Sequence, residues 1–310
     1  MSTLMTKEKP YAPSIKQAGP SACIAVVVEG PQGTGKSTLC GQLAEHVGPA
    51  KTLLIATLAK EIESWKYKET KIPHVLIEDP GWAPGMGKFD ATGFDEFRRL
   101  VRWLREEDEQ YEAVILDSGT ELGEMAWHAA LAPHGVGSPA QMEGQSRWLP
   151  YETLNNNLDQ AIKELLSLRE TAKKPKHIMV TWHIQPPKDD TEQKGVTKQS
   201  SDHAAKGIEY EGNVLPEVRG KYRRKLGSQF PTVVYTDIQI KAQMGLSTSA
   251  RGYDVSYMLQ VRPDNDRHTK LSGPLPEMQY IPNDFKELLK LIRATELGKK
   301  YSPPPPKGVK

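Results

Sequence analysis

Gly30, Gly35, Lys36 and Ser37 stand at the spacing G-x-x-x-x-G-K-[ST], between the apolar run that starts at Ile24 and the helical pattern that reaches Leu43. That order of residue types suits a polyphosphate. Glycines at 30, 33 and 35 let the backbone turn tightly and aim successive N–H groups at an anion. Lys36 would reach the β- and γ-phosphates and Ser37 would offer its hydroxyl to Mg²⁺. The positive end of the helix that opens near Lys36 adds a fixed partial charge. The expected cradle is Gly30, Pro31, Gln32, Gly33, Thr34, Gly35, Lys36, Ser37 and Thr38, with ATP and Mg²⁺ as cofactors.

Two later strand ends offer partners for this loop. The apolar run Ala113 to Leu116 ends at Asp117, as a Walker B strand delivers a carboxylate to the magnesium side of a nucleotide site. The β-run His177 to Trp182 ends at His183, which is either a satisfied strand-end residue or a group that senses the γ-phosphate. His128 and His134 have no thiol or third ligand at suitable spacing, so no zinc-type centre is expected there.

These residues need strands and helices in alternation, and the chain supplies them. Leu39, Leu43 and Val47 form a helical stripe that ends at Gly48-Pro49. Short β-runs follow at 52–57 and 74–77, separated by a polar stretch containing Glu61, Glu63 and Trp65. Phe94, Phe97, Leu100, Val101 and Leu104 predict a helix over 92–107, and Leu154, Leu158, Ile162, Leu165 and Leu168 predict another. The polar segments 132–150 and 185–212 read as long loops, and Lys221, Arg223, Arg224 and Lys225 form a basic cluster. Two late strands, 233–240 and 254–261, fit an antiparallel sheet edge, and Asn283 is the expected cap of a last helix. The expected division is a flexible N-terminal arm at 1–20, one α/β domain at 21–297 and a Pro-rich tail at 298–310.

Composition narrows the class. In 310 residues, Lys+Arg is 41 against Asp+Glu 39, so bulk charge does not mark a nucleic-acid binder and any basic site must be local. Two cysteines, Cys23 and Cys40, are too few for a disulfide framework or metal cluster and read as small core residues in a reducing compartment. No apolar run approaches the roughly 20 residues of a membrane span. A cytoplasmic protein with no membrane contact is expected.

In its order of parts the chain resembles the RecA-like ATPases: the loop at 30–37, Asp117, a polar loop and helix, a strand ending in His183, and a second long loop. More narrowly, VILDSGTEL, VTWH and VLPEVRGKYRRKL resemble phage-encoded RecA-like nucleotide-binding proteins of the single-strand annealing or recombination type. The resemblance implies a three-layer α/β domain, a largely parallel twisted sheet with antiparallel edge strands, and nucleotide at the C-terminal strand ends. It implies that Lys36, Asp117, Glu61 and His183 serve catalysis, with Ser37 and Asp117 at the metal. The family's catalytic glutamate closes the strand after the loop helix, where this chain has Ala56-Thr57-Leu58. Glu61 is the nearest candidate, with Glu78 and Glu121 as rivals.

The resemblance also implies an oligomer, ring or filament, acting on single-stranded DNA. Its DNA-contacting loops would fall at 133–150, with Arg147 and Trp148, and at 185–212, with Lys188, Lys194, Lys198 and Lys206. Arg219, Lys221, Arg223, Arg267 and Lys270 are candidates to complete a neighbour's site, and the Pro-rich tail could recruit a protein partner. A P-loop nucleotide or small-molecule kinase and a non-hydrolysing nucleotide-dependent scaffold are the alternatives.

Overall fold

Runs of Val, Ile and Leu that do not alternate with polar residues belong to strands covered on both faces. A computed structural model describes residues 22–66, 71–79, 81–82, 89–185, 215–219, 222–242, 253–264, 267, 269–299 and 301. In chain order its first half runs β1 (Ala25–Glu29), α1 (Lys36–Val47), β2 (Thr52–Ala56), α2 (Ala59–Lys66), β3 (His74–Leu76), β4 (Gly81–Trp82), β5 (Phe89–Asp90), α3 (Gly93–Glu106), β6 (Ala113–Asp117) and α4 (Gly119–Leu131). The second half runs α5 (Leu149–Ser167), β7 (His177–Trp182), β8 (Ile184–Gln185), β9 (Leu215–Pro216), α6 (Tyr222–Gln229), β10 (Thr232–Ala242), β11 (Tyr253–Gln260), β12 (Tyr280–Pro282) and α7 (Phe285–Glu296). The arm at 1–20, Lys188, Lys194, Lys198, Lys206, Lys221 and tail residues 302–310 lie outside the described residues.

The main sheet has eight strands in the order β12-β11-β10-β1-β7-β6-β2-β3. β10, β1, β7, β6, β2 and β3 pair in parallel, and β11 and β12 add an antiparallel edge. This is the expected α/β domain, a largely parallel sheet with antiparallel edge strands. Alternate residues of β1 divide between two cores: Val26 and Val28 pack with Leu39 and Leu43 of α1 and Leu288 of α7, while Ala25 and Val27 pack with the layer of α3, α4 and α5. All five residues of β1 are therefore buried. Among the described residues, no helix is long and apolar enough to cross a membrane.

Several expectations change in detail. The polar stretch after β2 is helical as α2, and the segment 132–148 folds into short 3-10 turns before α5. Part of the basic cluster starts α6, which buries Tyr222 and Leu226 against the α5 layer. Asp284, not Asn283, caps α7, its carboxylate accepting from the N–H groups of Lys286 (2.8 Å) and Glu287 (3.1 Å). Asn283 turns instead to the phosphate loop, where its Nδ2 donates to the Gly35 carbonyl at 3.2 Å.

At the other end of the sheet, the entries to β6 and β7 are tied by one ion pair. Lys176 Nζ donates to Asp108 Oδ2 at 2.7 Å and to the Tyr111 carbonyl at 2.9 Å, and the two side chains are 0% and 3% exposed. A charge with no access to water is costly when its partner is removed. Lys176→Met is therefore expected to lower unfolding free energy by about 3–5 kcal/mol, read as an earlier denaturant midpoint at unchanged slope. Replacing Lys176 and Asp108 together by apolar residues should cost much less.

Candidate functional site

Gly33 and Gly35 sit at φ 79° and 92°, backbone that L side chains avoid, so the turn between β1 and α1 needs glycine there. No side chain caps α1 among the described residues, and its first turn contains no acidic residue. Its first N–H groups and the positive helix end are thus left to an anion. Glu29, just before the loop, is buried, which pushes its carboxyl up to about 8 and disfavours its charged form.

Lys36 is folded back into the loop. Its Nζ donates to the carbonyls of Gly30 (2.8 Å) and Pro31 (2.7 Å) and lies 3.4 Å from His183 Nδ1. Burial holds its pKa down at about 8, against the opposing pull of Asp117. Burial first, and then the Lys36 charge, also lowers the His183 pKa. With the ammonium donating to Nδ1, the neutral ring carries its hydrogen on Nε2. The strand end is fixed by the His183 N–H on Thr120 Oγ1 at 2.9 Å.

Asp117 is 5% exposed and gathers three donors. Ser37 Oγ donates to its Oδ2 at 3.0 Å, Trp65 Nε1 to the same oxygen at 2.9 Å, and Thr181 Oγ1 to Oδ1 at 2.6 Å. The peptide that follows, Asp117-Ser118, is cis. Glu61 stands in the first turn of α2, where its Oε2 accepts from the N–H groups of Thr57 (3.0 Å) and Leu58 (2.9 Å) and from Thr57 Oγ1 (3.1 Å). Burial, and then the charge of Asp117, pushes its carboxyl up to about 7. Glu78 accepts from the Ala59 N–H at 3.1 Å, at the same start of α2, and Glu121 lies on α4 among Lys60, Glu124, Glu217 and His128.

The fold thus brings Lys36, Ser37, Asp117, Glu61 and His183 together. Pro31, Gln32, Gly33 and Thr38 are exposed around the loop. Thr34 is not at its mouth: its hydroxyl bonds the Pro31 carbonyl (2.8 Å) and Thr236 Oγ1 (2.6 Å), stapling the loop to β10. A Cβ on Gly30 would collide with that same threonine. Arg147 and Trp148 lie apart from this group on a surface 3-10 turn, where Arg147 Nε donates to the Met142 carbonyl at 2.6 Å and Trp148 is 67% exposed. Three finger candidates are committed within the chain: Arg219 to Glu124, Arg267 to Asp237, and Lys270 to the Ser228 carbonyl. The Arg267 guanidinium also stacks on Tyr235 at 4.4 Å.

The family model described as an AAA domain matches residues 23–270. The chain belongs to that family. This AAA domain is similar in structure to the ATPase EscN of the enteropathogenic E. coli type III secretion system, at 12% identity and a TM-score of 0.38, over 69% of this chain and 42% of EscN. It thus spans under half of EscN's length. Similar too are the RadB recombinase (14% identity, TM-score 0.33, 76% of this chain and 87% of RadB) and the flagellar accessory protein FlaH from Methanocaldococcus jannaschii (11% identity, TM-score 0.33, 82% of this chain and 91% of FlaH). No curated protein sequence matches the chain.

The donor set of this AAA domain fits a magnesium-bound polyphosphate: a buried ammonium turned inward, an uncapped helix start, and a hydroxyl 3.0 Å from a carboxylate. Trp65 and Thr181 were not singled out as site residues from sequence. Trp65 lies one helical turn after Glu61, and Thr181 lies two strand positions before His183, and both spacings were visible.

Two outcomes follow. A bound phosphate favours the charged lysine, so binding takes up a proton once pH passes the Lys36 value of about 8 in the free protein. Affinity for ATP should be level near neutrality and fall on the alkaline side, as read by calorimetric titration across that range. Trp65→Phe keeps a ring in the core but removes the donor to Asp117 Oδ2. It should raise the magnesium concentration needed for nucleotide binding roughly tenfold, with binding in chelator unchanged.

Proposed function

We propose that this AAA domain binds ATP with Mg²⁺, hydrolyses it slowly, and works as a homo-oligomer on single-stranded DNA in recombination or annealing of the phage-encoded type. The observation that carries the nucleotide reading is the meeting of Lys36, Ser37, Asp117 and His183 at the C-terminal ends of β1, β6 and β7, beside the uncapped start of α1. Mg²⁺ would supply charge neutralisation for the phosphates. Ser37 and Asp117 would hold it. Lys36 exchanges its loop carbonyls for phosphate oxygens, and His183 offers its Nε2 hydrogen to the terminal phosphoryl group. Glu61 would orient the water, yet it also holds the start of α2, which supports a reading of slow turnover.

The DNA reading is supported by a chain of contacts leading away from His183. The Glu217 N–H donates to the His183 carbonyl at 2.8 Å. Arg219, two residues on, stacks over Trp127 at 5.3 Å, and Trp127 meets Tyr151 at 4.9 Å. Tyr151 in turn meets Trp148 at 5.9 Å, whose exposed ring beside Arg147 suits a base next to a phosphate. A cytoplasmic location and a tail-bound protein partner belong to the same proposal. The second reading, a nucleotide-dependent scaffold, is favoured by the three donors that occupy Glu61 Oε2.

Magnesium-dependent ATP hydrolysis with and without single-stranded DNA tests both, with Lys36→Ala as the blank. Expected are slow turnover, stimulation by DNA that weakens as salt rises, and loss of that stimulation in Trp148→Ala with basal turnover kept. ATP binding without hydrolysis would favour the scaffold. Hydrolysis indifferent to DNA, with no DNA binding at low salt, would remove the DNA role.

A further inference from the structure

The phosphate loop has two flanks. β7 and β6, on one side of β1, carry Thr181, His183 and Asp117, the groups proposed for the terminal phosphate and metal. β10 and β11 lie on the other side. A nucleotide with its last phosphate at Lys36 and His183 therefore sends its nucleoside end toward β10 and β11.

That flank is built to meet it. β1 pairs with β10 as far as Glu29↔Tyr235, whereas β10 and β11 stay paired out to Ala242↔Tyr253, so the two strands rise past the end of β1 and over the loop. Ile238, opposite Tyr257, lies three positions beyond Tyr235, or ~10 Å along the strand. Tyr257 is two residues from Leu259, which is buried in the core under α1 and α7, so its ring is on the loop side of the sheet. A Cβ placed on Gly35 would stand 3.4 Å from Tyr257 Cδ1, and the ring is nevertheless 48% exposed. Val255, on the same face, is 47% exposed, and Ile238 is half-buried beside it. Asn283 locks this shelf to the loop: its N–H donates to the Tyr257 carbonyl at 3.0 Å and its Nδ2 to the Gly35 carbonyl at 3.2 Å.

We propose that Tyr257, with Val255 and Ile238, is the nucleobase platform of this site, and that it selects purine nucleoside triphosphates over pyrimidine nucleotides and bare polyphosphate. An aromatic face pinned beside the loop, with an aliphatic surface continuing it, suits a flat ring that leaves the phosphates on that side. The larger face of a purine gains more from it. This deepens the nucleotide reading and rests on it.

The test titrates the full chain, with Mg²⁺, against ATP, CTP and inorganic tripolyphosphate, in wild type, Tyr257→Ala, Tyr257→Leu and Tyr257→Phe. ATP should bind roughly tenfold more weakly to Tyr257→Ala and Tyr257→Leu, tripolyphosphate equally to all, and the ATP preference over CTP should narrow in those two. Tyr257→Phe should behave as wild type. Equal losses for ATP and tripolyphosphate, unchanged ATP binding in Tyr257→Ala, or a loss in Tyr257→Phe as large as in Tyr257→Ala would each overturn the platform. Failure of the wild type to bind either ATP or tripolyphosphate would overturn the nucleotide reading itself, and the platform with it.

Discussion

A carboxylate withdrawn from water at the end of a central strand must find donors, and Asp117 finds them on three different elements. Ser37 comes from α1, Trp65 from α2 and Thr181 from β7. Each of those contacts needs a separate part of the fold in register: the loop must deliver α1, α2 must turn back over β2, and β7 must lie directly beside β6. A buried acceptor without partners costs on the order of 1–3 kcal/mol per group, more when charged, so the requirement acts on stability as well as on chemistry. The same carboxylate acts on its surroundings by charge, opposing the loss of the Lys36 proton and helping to hold the proton on Glu61.

The strand order makes this possible and also divides the site in two. Placing β7 between β1 and β6 lets a strand-end histidine reach the loop lysine from one side while β10 braces the loop from the other. The brace is tight. Thr236 bonds both the Thr34 hydroxyl and the Glu29 carbonyl, and it occupies the space a side chain at position 30 would need. The loop is thus shaped by a strand more than 200 residues away in sequence. A preformed loop spares ligand binding the ordering entropy of its backbone, which is where a rigid brace contributes to affinity.

What could be read in advance follows from the range of the forces involved. The loop, Asp117 and His183 are written in local pattern: a glycine spacing, an apolar run with a carboxylate at its end, another with a histidine. The alternation of strands and helices is local as well, so the α/β layering was legible. Helix α4 carries a period that the sequence does show, with Glu121, Glu124 and His128 at helical spacing on one side and Leu122, Met125, Ala126, Ala130 and Leu131 in the core, but the stripe is only three residues wide and the helix went unread. The cap of the last helix was misplaced by one residue because Asn and Asp cap about equally well, and the choice was made by Gly35, a partner far off in sequence. Trp65 is a buried packing residue, and the Glu61–Trp65 spacing marks only a shared helix face; its bond to Asp117 needs α2 to reach the end of β6.

Glu61 shows how local structure and chemistry compete for one group. In the third position of α2, a carboxylate that accepts backbone N–H groups of the preceding turn is the ordinary way to start a helix. Those bonds favour its charged form, yet burial and Asp117 outweigh them and hold the proton to about pH 7. Near neutrality the group is therefore divided between a neutral and an ionised form, and the ionised form is the one already engaged with the chain. A general base works best with a pKa near the working pH, which this residue has, but it must also point its lone pair at water. Turning toward water means giving up helix-start bonds worth about 1 kcal/mol each. In the proposed hydrolysis the arrangement would set a cost that a glutamate placed directly at the end of β2 would not meet, and any partner that stabilises the start of α2 by other means would remove it.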